Sequence, residues 1–248
     1  MSVIGLHGIP GCGKTLTSVG AIAKKTYKKD NRLIKRIIRK CMKSPIRINT
    51  IYSNFPILLD KKRKIYSNII TVDDCDNRYS LLPNSTVIID ELQAYYDSSM
   101  PVRDFPKSIA TFYQFHRHFD IKDMYLISQH PRRIITYMRD VISEYQRIKR
   151  YIKIPIVHLG IVLARSVYEF DDYKFAFTRS KEVKRQYDIK TKFYFFNYKK
   201  AYKSYKSKYM SAFNKDKPLL YRGTYTSLQF PQEEFDYLNR RLFGERTI

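Results

Sequence analysis

Eight consecutive residues, Gly8-Ile9-Pro10-Gly11-Cys12-Gly13-Lys14-Thr15, have the spacing of a loop that wraps a phosphate chain. Four of the chain's eight glycines, Gly5, Gly8, Gly11 and Gly13, fall within nine residues. Glycine lets successive backbone N–H groups turn toward an anion. A helix starting at Lys14 would aim its positive end at the same anion. Lys14 is expected on the β- and γ-phosphates of ATP, and the Thr15 hydroxyl on Mg2+. Ile9, Pro10 and Cys12 complete the loop, with Cys12 read as a small filler rather than a redox switch.

Further along, the apolar run Thr86-Val87-Ile88-Ile89 ends in Asp90-Glu91. Downstream of a phosphate loop, this suits Asp90 holding Mg2+, directly or through water, and Glu91 polarising the attacking water. A third run, Met124-Tyr125-Leu126-Ile127-Ser128, ends at Gln129. Gln129 is expected to orient water or read the γ-phosphate from a strand beside the acidic one. His116-Arg117-His118 puts two imidazoles on opposite faces of a helix. With no HExxH and no cysteine at ligand spacing, a metal site is not expected there. Arg117 is the candidate for a charge-stabilising finger across a subunit interface. A structural salt bridge or a DNA contact is the alternative.

These residues need strands that stop on time. Residues 2–6 read as a short buried strand, and a helix is expected from Lys14 to Lys29. A basic amphipathic helix follows over Asn31 to Lys43, ended by Pro45. Strands are expected at Ile48 to Phe55, Ile69 to Val72, Val87 to Asp90 and Met124 to Ser128. Helices are expected at Ser108 to Phe119 and Thr136 to Ile142. Strand-like runs return at Val141 to Ile148, Ile156 to Tyr168 and Phe175 to Thr178. Strands alternating with helices predict an α/β P-loop NTPase of the RecA/FtsK–HerA kind, a mostly parallel sheet flanked by helices. Residues 1–178 form the expected ATPase core. Residues 179–248 form a basic, Tyr/Lys-rich C-terminal extension packed on it.

The chain has 248 residues and a formal net charge of +24. At 44% hydrophobic residues it buries a real core, which excludes wholesale disorder. Residues 24–64 carry a net charge of +13 and residues 179–217 a net of +10. The second stretch interleaves its lysines with Tyr187, Phe193, Tyr194, Phe195, Phe196, Tyr198, Tyr202, Tyr205 and Tyr209. Basic residues among rings suit a phosphate backbone with stacked bases. A solvated face, an anionic membrane surface or a protein partner are the other readings. No apolar run reaches the roughly 20 residues of a spanning helix. No secretory leader is expected, and three cysteines without a CxxC pair give no disulfide framework.

The order of motifs resembles the zonula occludens toxin (Zot) family. It runs from the phosphate loop through Tyr52-Ser53-Asn54, Asp90-Glu91 and Phe115-His116-Arg117-His118 to Gln129 and Pro131. Tyr202-Lys203-Ser204-Tyr205-Lys206-Ser207 is similar to a stretch near the end of the family's ATPase domain. The resemblance covers most of residues 1–210. It implies an assembly ATPase of filamentous phages that moves single-stranded viral DNA. It also implies a homo-oligomeric ring, usually a hexamer in such motors, in the host cytoplasm at the inner face of the membrane through partners. Membrane, capsid or coat proteins are the partners expected there. The family's ATPase is followed by a spanning helix, which these residues lack. The expectation is therefore a member without its own anchor, or the ATPase portion of a longer chain. A packaging ATPase of the FtsK–HerA type, a helicase-like replication ATPase and a nucleotide kinase are the enzymatic alternatives. The kinase fits poorly, because the chain has no Arg-rich lid and is too basic for a small acidic substrate. A non-catalytic, nucleotide-dependent DNA-binding virion protein is the last alternative, and the Asp90-Glu91 pair argues against it.

Overall fold

A strand apolar on both faces belongs inside a sheet that is covered on both sides. Strand β1 (Ser2–His7) is such a strand, buried at every position after its first. The computed structural model describes residues 2–30, 51–61, 65–69, 85–105, 113–114, 121–177 and 179–205. The further strands are β2 (Ile51–Ser53), β3 (Leu58–Asp60), β4 (Ile65–Tyr66), β5 (Asn68–Ile69) and β6 (Ser85–Ile89). They are followed by β7 (Ile121–Ser128), β8 (Glu144–Ile154), β9 (Leu159–Val167) and β10 (Lys190–Asn197).

Eight of these form one sheet in the order β10-β9-β8-β1-β7-β6-β2-β5, while β3 and β4 pair separately. From β8 to β5 every pairing is parallel. The outer pairings β8–β9 and β9–β10 are antiparallel. This is the P-loop NTPase arrangement: β7 lies between β1, which feeds the phosphate loop, and β6, which ends in the acids.

Side chains alternate between two buried layers, as the two-residue period of a strand demands. Val3, Val87, Ile89, Met124 and Leu126 enter one layer with Leu92, Tyr96, Ile134 and Met138. Ile4, Leu6, Ile88 and Ile127 enter the other with Leu16, Val19, Ile22 and Tyr27. Those last four lie on the helix after the phosphate loop. It is α-helical over Lys14–Thr17 and Lys24–Asp30, with a π-turn over Ser18–Ala23 between. The π-turn contains Gly20, where a Cβ would fall 2.7 Å from the Phe196 ring. Helix and sheet edge therefore meet closely.

Three expectations change. Residues Phe175 to Thr178 read as strand-like, but Asp171–Phe177 is a 3₁₀ helix. Both edges of β9 are already taken, by β8 and β10, so no edge remains there for another strand. Val141 closes the helix Thr136–Val141 and does not begin a strand; β8 starts at Glu144. The run from Ile156 starts later than expected, because residues 155–158 make the turn between β8 and β9 and His158 takes a positive φ of 52°.

β10 lies in the segment expected as a C-terminal extension. It pairs with β9 along its whole length, from Lys190 to Asn197, as an outer strand of the main sheet, and a short helix, Tyr198–Tyr202, follows it. The helix expected over Asn31 to Lys43 and most of that expected over Ser108 to Phe119 lie outside the described residues. Among the described residues, no helix is long and apolar enough to cross a membrane.

Candidate nucleotide site

The loop between β1 and the helix at Lys14 turns through conformations that side chains resist. Gly11 and Gly13 have φ of +76° and +97°. Gly13 is the residue from which the helix starts, and a Cβ on it would also press on Tyr151 at 3.4 Å. The Cys12 thiol fills the inside of the loop, 2.7 Å from where a Gly8 Cβ would stand. Burial pushes its pKa up, against the pull of Lys14, which suits packing rather than reactivity. Ile9 and Pro10 stand exposed on the outside. Buried Lys14 curls back inside the loop, its Nζ donating to the carbonyls of Gly8 at 2.7 Å and Ile9 at 3.1 Å. That places a cation at the centre of a ring of backbone groups.

The acidic strand end meets the loop directly. Thr15 Oγ1 donates to Asp90 Oδ2 at 2.6 Å, across 75 residues of sequence. Asp90 is buried, and its Oδ1 accepts from the Glu91 backbone N–H at 2.9 Å. Burial pushes the Asp90 carboxyl up to about 6; the Thr15 hydrogen bond opposes this and the Glu91 charge adds to it. Two hard oxygen donors held this close fit the donor set of Mg2+, which takes one or two protein oxygens and keeps several waters. Glu91 has a φ of +51°, a left-handed backbone for a residue that rarely adopts one. Its carboxylate accepts from the Gln93 side chain. This turn directs the chain away immediately after Asp90.

Asn54 carries no signal in the sequence outside the family pattern, yet its side chain clamps the backbone of Asp90. It is buried at the end of β2. Its Oδ1 accepts from the Asp90 N–H at 2.8 Å, while its Nδ2 donates to the Asp90 carbonyl at 2.8 Å and to Tyr95 Oη at 3.1 Å. Both backbone groups of Asp90 are thus satisfied by one side chain.

Gln129 follows β7, the strand beside the acidic one. Its carbonyl accepts from the Gly8 N–H at 3.2 Å, and its Oε1 accepts from Arg133 Nη1 at 2.8 Å. The second contact turns the amide N–H2 away from the arginine. Arg133 carried no signal in the sequence beyond its charge. Arg117 lies outside the described residues. Of the Tyr202 to Ser207 stretch, Tyr205 packs against Phe55, and the Ser204 carbonyl accepts from the Leu58 N–H at 2.8 Å. Ser204 and Tyr205 therefore lie against the chain just after Asn54.

A family model described as Zonular occludens toxin (Zot) matches residues 2–159. No curated protein matches the chain. Among solved structures, the N-terminal domain of zonular occludens toxin from Neisseria meningitidis is similar. It has 18% identity and a TM-score of 0.50, over 83% of this chain and 98% of that one. At that identity the likeness is one of fold. The genome packaging NTPase B204 from Sulfolobus turreted icosahedral virus 2, in complex with ATP-gammaS, aligns at 12% identity. Its TM-score is 0.39, over 62% of this chain and 76% of that one. The ATPase DotB of Legionella pneumophila aligns at 12% identity and a TM-score of 0.34, over 75% of this chain and 51% of that one. The family match takes in the phosphate loop, the acidic strand end and Gln129 together, and the chain belongs to the zonular occludens toxin (Zot) family.

Proposed function

We propose that this chain is a viral morphogenesis ATPase that hydrolyses ATP with Mg2+ and couples the cycle to moving phage DNA, by packaging or extrusion. The observation that carries the reading is the 2.6 Å contact between Thr15 and Asp90, which joins the phosphate loop to the acidic strand end. The backbone of Gly8 to Gly13 holds the phosphates, and Lys14 moves from the loop carbonyls onto the β/γ oxygens. Thr15 and Asp90 hold Mg2+, which would neutralise charge on those oxygens. Glu91 takes the proton of the attacking water. Gln129, its amide oriented by Arg133, contacts that water or the γ-phosphate. Arg117 stabilises charge from a neighbouring subunit of a ring, expected to be a hexamer. The track is single-stranded viral DNA, and the site of action is the host cytoplasm, at the membrane through partners.

The test is steady-state ATPase activity with no DNA, single-stranded DNA and duplex DNA, with Lys14→Ala as the blank. Stimulation by single strands that Lys14→Ala abolishes supports the motor. Turnover that ignores both DNA forms overturns the coupling. Tight ATP binding with no turnover in an assembled ring overturns the enzyme.

A further inference from the structure

The turn between β8 and β9 breaks a local rule. Its two central residues are Ile156 and Val157, where turns favour Gly, Asn, Asp or Ser. Ile156 is 91% exposed and Val157 62%. Neither joins either buried layer, so the core gains nothing from them. The turn itself is held shut. The His158 N–H donates to the Pro155 carbonyl at 3.2 Å, and His158 Nδ1 donates to the same oxygen at 2.6 Å. The Tyr198 N–H, at the start of the short helix after β10, donates to the His158 carbonyl at 3.0 Å and ties the base of the turn down.

This tip projects beyond the rest of the sheet. β1 ends at His7, level with Arg147, and β8 runs on to Ile154. The phosphate loop reaches as far as Tyr151, against which Gly13 packs. From Tyr151 to Ile156 is five residues, about 16 Å at 3.3 Å per residue.

Behind the tip lie apolar side chains and positive charge. The register sets Ile152, Ile161 and Phe195 in one row, on the face of the sheet away from the phosphate-loop helix. Phe195 is 57% exposed and Ile152 39%. On the other face, Lys153 Nζ stands over the rings of Tyr151 at 5.5 Å and Tyr202 at 5.1 Å. Residues 145–167 and 189–203 together hold ten Lys and Arg and no Asp or Glu. Among the described residues, Lys149, Arg150, Lys153 and Lys199 make no ion pair.

Exposed apolar residues scattered singly need no explanation. Two adjacent ones at a projecting tip, with rings behind them and only basic charge around them, match the layers of an anionic bilayer. A convex tip needs a matching pocket in a rigid protein, whereas a fluid lipid surface opens around it. The shared positive charge also disfavours a second copy packed against the same surface. Interfacial segments enter to a depth of about 5–10 Å. That depth takes in Ile156 and Val157. It brings Lys153, about 10 Å back along the strand, to the headgroups, and it leaves the phosphate loop in water.

We propose that the β8–β9 hairpin docks directly on an anionic lipid bilayer, with Ile156 and Val157 in the acyl boundary and Lys153 and Lys199 on headgroup phosphates. Phe195 then lies just above the tip, where aromatic rings collect. The contact belongs to this chain itself rather than to a partner. It is measured without ATP or DNA, so it stands apart from the ATPase reading.

The chain has no tryptophan, so a single introduced one reports on its own surroundings. Ile156→Trp is compared with Tyr168→Trp, beyond the far end of β9, on phosphatidylglycerol vesicles. Emission from Ile156→Trp should shift to the blue and be quenched by brominated acyl chains, and emission from Tyr168→Trp should do neither. Vesicle flotation then compares the native chain with Ile156→Ser/Val157→Ser and Lys153→Ala/Lys199→Ala, with a thermal melt to check that each is folded. Each aliphatic side chain lost should weaken binding about 10-fold or more, and each lysine about 5-fold. Unquenched Ile156→Trp emission overturns the hairpin. So does vesicle binding that Ile156→Ser/Val157→Ser leaves unchanged, which is the net charge acting alone, or no vesicle binding by the native chain. A particle mass that falls in Ile156→Ser/Val157→Ser, with vesicles ignored by the native chain, would assign the tip to a second copy instead. Basal ATP turnover is read alongside. Its absence in the native chain refutes the ATPase without touching the hairpin.

Discussion

Mild acid should loosen this protein through one imidazole. His7 ends β1 just before the phosphate loop and is completely buried. Its Nδ1 shares a hydrogen bond of 2.7 Å with Ser128 Oγ on β7, and Nε2 has no hydrogen-bond partner among the described residues. Tyr145 and Tyr173 enclose the ring, at centroid distances of 5.8 and 5.6 Å. Gly5 leaves it room, since a Cβ there would fall 2.3 Å from Nε2. Burial first, then His130 and Lys14, brings the His7 pKa from 6.5 down to about 3. The folded state therefore holds His7 neutral, while the unfolded chain takes up a proton below pH 6.5. Its contribution is fully present above pH 6.5 and drains away as pH falls toward 3. At 1.36 kcal/mol per unit, the loss is about 2 kcal/mol by pH 5 and about 5 kcal/mol by pH 3. Asp90 works in the opposite sense. Its folded pKa of about 6 favours the fold as pH falls from there toward 3.8. A comparison of two chains that both keep Asp90 cancels that effect. Urea unfolding at pH 7.5 and pH 5.0 is compared for the native chain and His7→Asn. The variant starts less stable because of the cavity it leaves, but should lose about 2 kcal/mol less on acidification. Parallel losses in the two chains would refute the assignment of acid lability to His7.

Asn54→Ala strands the buried N–H and carbonyl of Asp90 and should cost about 2–6 kcal/mol in urea unfolding, at 1–3 per group; a loss below about 1 kcal/mol would show that Asp90 is held by other means. Glu91→Gln should bind ATP normally and turn it over about 10²- to 10⁴-fold more slowly; a native rate would remove Glu91 as the base. Gly20→Ala gains about 1 kcal/mol of helix propensity but drives a methyl to within 2.7 Å of a Phe196 ring that also packs on Gly160 and Tyr151. Overpacking of about 1–3 kcal/mol should win, and a more stable variant in urea would show that the helix shifts freely over β10.

The phosphate loop was legible in the sequence because its constraints are local. Positive φ at Gly11 and Gly13, a strand before and a helix after all act within a few residues of Lys14. Asp90, Glu91 and Gln129 were legible for a related reason. Each stands where an apolar run stops, and the end of a run marks the end of a buried strand. The 3₁₀ helix over Asp171–Phe177 was not legible, because Phe175 to Thr178 is as apolar as a strand and only the occupied edges of β9 forbid one.

Sequence by itself set the chemistry proposed for this protein: which residues are expected to carry phosphate, metal and proton, and where two stores of positive charge lie. Tertiary structure alone decided which of them meet. Asn54 reaches Asp90 because β2 and β6 are parallel neighbours. Thr15 reaches Asp90 because one strand, β7, separates β1 from β6. Lys24 reaches Lys200 because β10 closes the sheet edge beside the phosphate-loop helix. Strand order is set by which edges are free and which apolar faces must be covered across the whole chain. That balance has no signature in any short stretch of residues.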